Sequence, residues 1–494
     1  MTKVDRLGAL LLLSAALASV SGAATTAAPA KPSTATAKAP TTPAAPAAPA
    51  APGPAVASTP AERLEVYHDF RALFDAAKYS DAVAPAEKLV TMTEAASNAN
   101  DPALVAPLVN LATTRYQLND YAGAEAGYLR AVSIIEQTDG GFSTKLLPPL
   151  RGLGLTYLNA DQSQAAMEQL RRGVDLVRKV DGLFDDAQLD LLDPLVRAYQ
   201  QLGQMADAER EAIYSFRVSE NKYSRNSTDV VPALEKLARW YSAVGRNTTA
   251  RQYFSRAVGI LQKNLGTADQ RMISPLRGIA QTYRLEYIFG PELSSSEQQS
   301  APGTTATLGG SLGTPQAAPE YNPAGAKLDA SGEAALRGAL SIAESARPNI
   351  DTSLHAQLLI ELGDWLLIDA DKDGAMQNYK RAWPLLKDLP APDDAALAAP
   401  YPIMYRPPSA AYRSTRAKPE NIVEGFVDVE FTVQADGRIT DEHTVGKSAS
   451  DSQERTALSA IKKARYRPRF DQGEAVATQG VRLHQPVFSV KSSK

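Results

Sequence analysis

LVNLATTRYQLNDYAGAEAGYLRAVSII, Leu108–Ile135, decides the fold. Two apolar runs with helical spacing flank Leu118-Asn119-Asp120-Tyr121, a turn-like piece. The stretch also has copies. Ala124 is one of five alanines 42 residues apart: Ala82, Ala124, Ala166, Ala208 and Ala250. A second row stands 12 residues earlier, at Phe70, Ala112, Gly154, Val196, Ala238 and Ala280. A third follows by four, at Ala86, Tyr128, Leu170, Ala212 and Phe254, an offset that keeps both residues on one helix face. Asn159-Ala160-Asp161, Leu202-Gly203-Gln204 and Val244-Gly245-Arg246 repeat the turn. The pattern predicts two antiparallel helices per unit, with small residues where backbones approach and a large apolar residue filling the groove.

On these residues the chain resembles tetratricopeptide repeats, and the 42-residue step resembles the longer-helix form of kinesin light chains. Repeats are expected at about 61–96, 101–138, 143–180, 186–220 and 229–265. A sixth begins at Ile279-Ala280-Gln281-Thr282-Tyr283, breaks into a Ser/Gly/Thr/Ala/Pro-rich stretch, and resumes near Gly332 with Leu336 and Ala339. A seventh runs from Leu359 through Ala375, Tyr379 and Ala382. Pro107, Pro149, Pro194 and Pro275 fall in or near first helices, where a proline beyond the first turn kinks the helix. The resemblance implies a concave surface, lined by first helices, that binds peptides. Tyr116, Arg151, Arg197, Arg239, Arg277 and Arg284, with Arg71, share that phase. An arginine-rich groove suits an acidic segment or a carboxylate terminus. The plain alternative is a solvated helix surface whose long side chains cover apolar neighbours.

A second module begins at Glu424–Arg438, EGFVDVEFTVQADGR. Val427, Val429, Phe431 and Val433 alternate with polar residues, the period of a half-buried strand, and Asp436-Gly437 suits a tight hairpin. The return strand, Arg438–Val445, keeps Ile439 and Val445 in phase, but Asp441 and His443 interrupt it, which predicts a bulge. His443 reads as a half-exposed strand residue. Asp451 with Glu454 resembles a capping box opening a helix whose stripe is Ala457, Leu458 and Ile461. In Arg465-Tyr466-Arg467-Pro468-Arg469-Phe470 the two aromatics are expected to cover the core, not to stack on nucleic acid. Val481–Val490 is the last strand; its phase is expected to shift at Pro486, which restricts it to an edge or bulge.

Glu424-Gly425, the alternating valines, Asp436-Gly437-Arg438, Glu454-Arg455 and Tyr466-x-Pro468 together resemble the C-terminal domain of TonB-family energy transducers. The resemblance implies that the domain binds a short extended peptide, from an outer-membrane transporter, by adding it as a strand to the sheet edge. Val481, Arg482, Leu483, His484, Gln485, Val487 and Phe488 are the residues that would carry it. The Tyr-Pro that usually precedes Glu-Gly in the family has its nearest counterpart in Tyr401-Pro402, 23 residues upstream.

The remaining features bound the function. Net charge is −3 over 494 residues, which gives a nucleic-acid partner no support. There is no cysteine, and His68, His355, His443 and His484 show no metal-ligand spacing, so no metal or other cofactor is expected. Phosphate-loop and nucleophile motifs are absent, and the chain is not expected to be an enzyme. Lys3 and Arg6 precede the apolar run Leu7–Val20 and the small residues Ser21-Gly22-Ala23, the pattern of a signal peptide over 1–23. The run's 14 residues fall short of the ~17–25 that span a bilayer. Residues 24–60 form an Ala/Pro/Thr-rich tail expected to be disordered.

The expected architecture is therefore mainly α. It comprises a tetratricopeptide-repeat solenoid over 61–388 with a low-complexity insertion at 291–330, a linker at 389–408 and a small α+β TonB C-terminal-like domain at 409–494. The expected role is a periplasmic adaptor with protein or peptide partners in the cell envelope, an outer-membrane transporter among them. Two alternatives stand beside it. One is an envelope scaffold whose repeat groove does the recognition while the terminal domain self-associates or anchors. The other is a membrane-anchored energy transducer, if the first segment stays uncleaved.

Overall fold

The structure, a computed structural model, describes residues 58–291, 328–346, 351–387, 389, 395–408 and 422–490. The signal segment 1–23, the tail to residue 57, the insertion over 292–327 and residues 409–421 lie outside the described residues, as does part of the 389–408 linker. Among the described residues the fold is mainly α, followed by a small β-rich domain, as expected.

Fourteen helices among the described residues follow in pairs: α1 (Pro60–Asp75) and α2 (Tyr79–Ala96), α3 (Val105–Gln117) and α4 (Tyr121–Thr138), α5 (Leu147–Asn159) and α6 (Ser163–Val180), α7 (Leu189–Gln201) and α8 (Met205–Tyr223). Then come α9 (Val231–Ala243) and α10 (Asn247–Leu265), α11 (Ile273–Phe289) and α12 (Ala330–Ser345), α13 (Thr352–Ile368) and α14 (Lys372–Leu386). The sixth pair is the one split by the insertion. The chain divides into two compact units between Thr156 and Tyr157, inside α5.

The ladder is a packing rule. Ala82, Ala124, Ala166, Ala208 and Ala250 are all fully buried. Where the residue four places on is aromatic, it finds its room at a glycine. The Tyr128 ring lies where a Cβ on Gly152 would stand, 2.3 Å away, and the Phe254 ring does the same at Gly278, 2.5 Å away. Each glycine is 24 residues after its aromatic. Ala212 departs from the row and is only half-buried.

Turn chemistry repeats with the same step. Ala77, Asn119, Asp161, Gly203 and Gly245 all take positive φ at the turn within a pair. Before each first helix from α3 to α11 a short 3-10 turn is capped by Asp101, Ser143, Asp185, Ser227 or Asp269, whose side chain accepts from the N–H two residues on. These turns set the prolines. Pro107, Pro149 and Pro275 are third residues of their helices, where no intrahelical N–H is needed, whereas Pro194, like Pro85 and Pro384 of second helices, lies well inside one.

Among the described residues the terminal domain has seven strands: β1 (Tyr401–Met404), β2 (Ile422–Val433), β3 (Ile439–Lys447), β4 (Arg465–Arg467), β5 (Arg469–Asp471), β6 (Glu474–Val476) and β7 (Thr478–Val490). Helix α15 spans Asp451–Lys462. The main sheet is antiparallel in the order β3-β2-β7, with small β1-β4 and β5-β6 pairs beside it. Residues 401–404, placed in a linker by composition, are thus a strand. Val427, Val429, Phe431 and Val433 form the sheet core with Ala457, Ile461, Tyr466, Leu483 and Val487. Gly437, at φ +77°, closes the hairpin, and the Tyr466 carbonyl lies 2.3 Å from where a Cβ on it would be. Glycine is required there twice over, by conformation and by close approach.

Two local expectations are corrected. The helix α15 is capped by Ser450 and Gln453, not by Asp451 and Glu454. Both of those carboxylates turn to Lys447 instead. Val445 is exposed, because the β2–β3 register shifts twice, between Asp428 and Val429 and between Glu430 and Thr432. His443 is likewise exposed, its Nδ1 2.9 Å from the Asp441 carbonyl.

Candidate functional site

Among the described residues the sheet has two edges, β3 and β7, and they differ. The outer strand β3 is bulged twice and carries Asp441 at φ +58°. Such irregularities blunt an edge against further pairing. The strand β7 runs in continuous register with β2 from Val481↔Phe431 to Val490↔Ile422.

The direction of each backbone group on β7 follows from Phe426. Its N–H donates to Ser448 Oγ and its carbonyl accepts from the Ser448 N–H, both at 3.0 Å, so both groups face β3. Pro486 is the cross-strand partner of Phe426 on β7. That pair therefore exchanges no hydrogen bonds, and the N–H that proline lacks would have pointed out of the sheet. By alternation Val481, Leu483, Gln485 and Val487 bond inward to β2, while Arg482 and His484 turn their backbone groups outward.

The outward run is short. Between Phe431 and Val433 the register slips by one residue on β7, at a bulge containing Gly480 with φ +68°. At the other end, the Pro486 carbonyl accepts from Gln485 Nε2 at 2.7 Å and the Phe488 carbonyl accepts from Gln453 Nε2 at 3.5 Å. What lies between is a window at Arg482 and His484, two N–H donors and two carbonyl acceptors. Their side chains lie on the exposed face, where Arg482 Nε is 2.9 Å from Glu430 and His484 Nδ1 is 2.6 Å from Asp428. The His484 ring also stacks on Phe426, with centroids 5.3 Å apart.

The expected phase shift at Pro486 does not occur. Leu483, Gln485 and Val487 all point inward and are buried; Phe488 is half-buried on the other face. The inward residue that hid the phase is polar. Gln485 is satisfied in place by the Tyr405 hydroxyl and the Pro486 carbonyl.

The arginine stripe is partly answered within the fold. In the first unit, Arg151 is exposed and Tyr116 stands 6.3 Å from Tyr121. In the second, Arg197 is exposed, Arg239 pairs with Glu235 at 3.0 Å, and Arg277 pairs with Glu361 at 2.9 Å. Arg284 has a buried Nε without a hydrogen bond. Asp193–Lys236 and Glu235–Ser274 link further first helices. Arg71, at the start of the array, pairs with Asp75. The positions are those of one helix face in each repeat; Asp193 and Glu235 are themselves 42 residues apart and fill the two repeat positions between Arg151 and Arg277. Among the described residues no His/Asp/Glu group could hold a metal ion.

Residues 415–484 match the family model for the Gram-negative bacterial TonB protein C-terminal, and residues 103–179 match a tetratricopeptide repeat model. The chain therefore carries both modules, which are non-catalytic, protein-interaction folds. No curated protein matches the chain. Among solved structures it is similar to the "putative kinesin light chain nearly identical TPR-like repeats" of Podosopora anserina, at 20% identity, over 42% of this chain and 98% of that one, with a TM-score of 0.38. It is also similar to BtubC (BKLC) from P. vanneervenii, at 14% identity, 55% and 90% coverage and a TM-score of 0.35. The apo form of RapI matches at 12% identity, 66% and 100% coverage and a TM-score of 0.36. At such scores the fold assignment rests on the helix pairs themselves.

Proposed function

We propose that the protein is a periplasmic, non-enzymatic adaptor whose terminal sheet takes up an extended segment of a cell-envelope protein at the β7 edge. The observation that carries this reading is the asymmetry of the sheet, with β3 bulged and β7 offering the Arg482–His484 window. An outer-membrane transporter is the partner class that the TonB-type domain suggests. Four backbone hydrogen bonds, at about 0.5–1.5 kcal/mol each, give modest affinity. Side chains on either face of the added strand must supply the rest, Arg482 and His484 outside and Val481 and Leu483 inside. The repeat groove, with Arg197 and its neighbours, takes a second, acidic partner.

No helix among the described residues is long and apolar enough to cross a membrane. The energy-transducer alternative rests on Leu7–Val20, which lies outside the described residues, and an intact Met1 in the mature protein would favour it.

The test uses the direction of the edge. His484→Pro removes one outward donor and no β2 hydrogen bond, so the full chain should fold while capture of envelope transporters falls at least tenfold. His484→Ala keeps the donor and removes only one outer side chain, so it should lose clearly less than His484→Pro. Pro486→Val adds an outward donor and should strengthen binding. Equal capture by His484→Pro and His484→Ala would sink strand addition at this edge.

A further inference from the structure

We propose that the TonB-type domain is also the closing cap of the repeat array, held as a fixed extension of the last repeat and not as a module on a tether. The argument begins with the ladder. Tyr379 stands four residues after Ala375, the position of Tyr128 and Phe254 in their repeats. Those rings pack on a glycine of the following first helix, 24 residues on. No further helix pair follows the seventh among the described residues. The Tyr379 ring turns to Gly363 of its own repeat, and its other side meets Phe470 of β5, edge-on, with centroids 5.7 Å apart. The residue 24 places on is Ile403 of β1, buried in the same core. Leu397, Ile403 and Phe470 thus complete the apolar cluster of Tyr379, Ala382 and Leu386, where a next repeat would have packed.

The run Arg465–Phe470 is sorted between two cores. Tyr466 belongs to the sheet core, while Phe470 belongs to the repeat core. Arg467 reaches into α13: its Nε and Nη2 donate to the two oxygens of Asp364 at 2.8 and 2.7 Å. Its Nη1 donates to the Ala396 carbonyl at 3.0 Å. The Tyr379 hydroxyl donates to the same carboxylate at 2.8 Å. Asp364 is 2% exposed and Arg467 9%, so the pair is buried and its hydrogen bonds come from α13, α14, β4 and the segment before β1. Burial, then the negative Asp364, push the Tyr379 hydroxyl well above its ordinary pKa, so it stays a donor. Lys380–Glu474 at 2.7 Å and Lys372–Asp436 at 2.9 Å close the rim.

A repeat array needs a terminal unit that covers its last apolar face. Breaking a buried ion pair strands the remaining charge, so the Asp364–Arg467 contact admits one orientation of the two parts. The sheet and its β7 edge are therefore carried rigidly by α13 and α14.

Amide hydrogen exchange on the full chain tests this. In the native protein, amides of α13, α14 and β4 should merge into one unfolding isotherm as denaturant rises. Separate isotherms for α13–α14 and β4 would overturn the proposal without any variant. In Phe470→Ala and Asp364→Asn, exchange in α13 and α14 should rise at least tenfold while β2 amides facing β7 change less. Native exchange rates in α13 and α14 in both variants would equally overturn it.

Discussion

The repeat array and the terminal sheet solve the same packing problem in opposite ways. In the array one device recurs: an alanine buried every 42 residues and, at Tyr128 and Phe254, an aromatic four places on with a glycine to receive it. In the sheet each device is used once: a glycine under the Tyr466 carbonyl, a bulge at Gly480, a proline at the edge. Damage to the array is therefore local and can be compensated by a neighbour in the same contact. Damage to the sheet core has no second copy to lean on.

The largest expected effect breaks the sheet side of this contrast. Phe431 is 1% exposed and meets Tyr466 edge-on at 5.5 Å. Phe431→Ala should cost about 3–5 kcal/mol in chemical denaturation of the sheet. The helical signal of α1–α10 should persist at denaturant concentrations that unfold the sheet. Loss of both signals together would mean that the array is not locally stable as argued.

Gly278→Leu sharpens the array side and should cost about 1–3 kcal/mol by overpacking against the Phe254 ring. Because the site is a matched pair, Phe254→Ala in the same chain should recover part of the loss. A double variant less stable than the sum of the two singles would refute the pairing.

What was legible follows the same division. The ladder could be read because the tight approach of two helices restricts residue identity, and the restriction recurs. The capping row escaped notice although it has the same step, since Asp101, Ser143, Asp185, Ser227 and Asp269 share a role and not a letter. Pro486 marked an edge correctly in the sequence. Its consequence needed the directions of the Phe426 backbone groups, which depend on which neighbour sits on which side. Asp364 and Arg467 are 103 residues apart, and nothing local to either names the other.

The smallest effect discriminates two adjacent residues that local pattern alone confuses. Ser450 has extended backbone, φ −68° and ψ 157°, and its hydroxyl accepts from the Gln453 N–H while Gln453 reaches back to the Ser450 N–H. Asp451, one residue on, is already inside the helix and gives its carboxylate to Lys447 at an exposed site. A capping hydroxyl satisfies a backbone donor that has no other partner, whereas an exposed ion pair is screened by solvent. Ser450→Ala should therefore cost about 1 kcal/mol. Asp451→Ala should cost less, measured by denaturation of the full chain with exchange in α15 as the local readout. The reverse order would show that the helix is held by its first-turn charge and not by its cap.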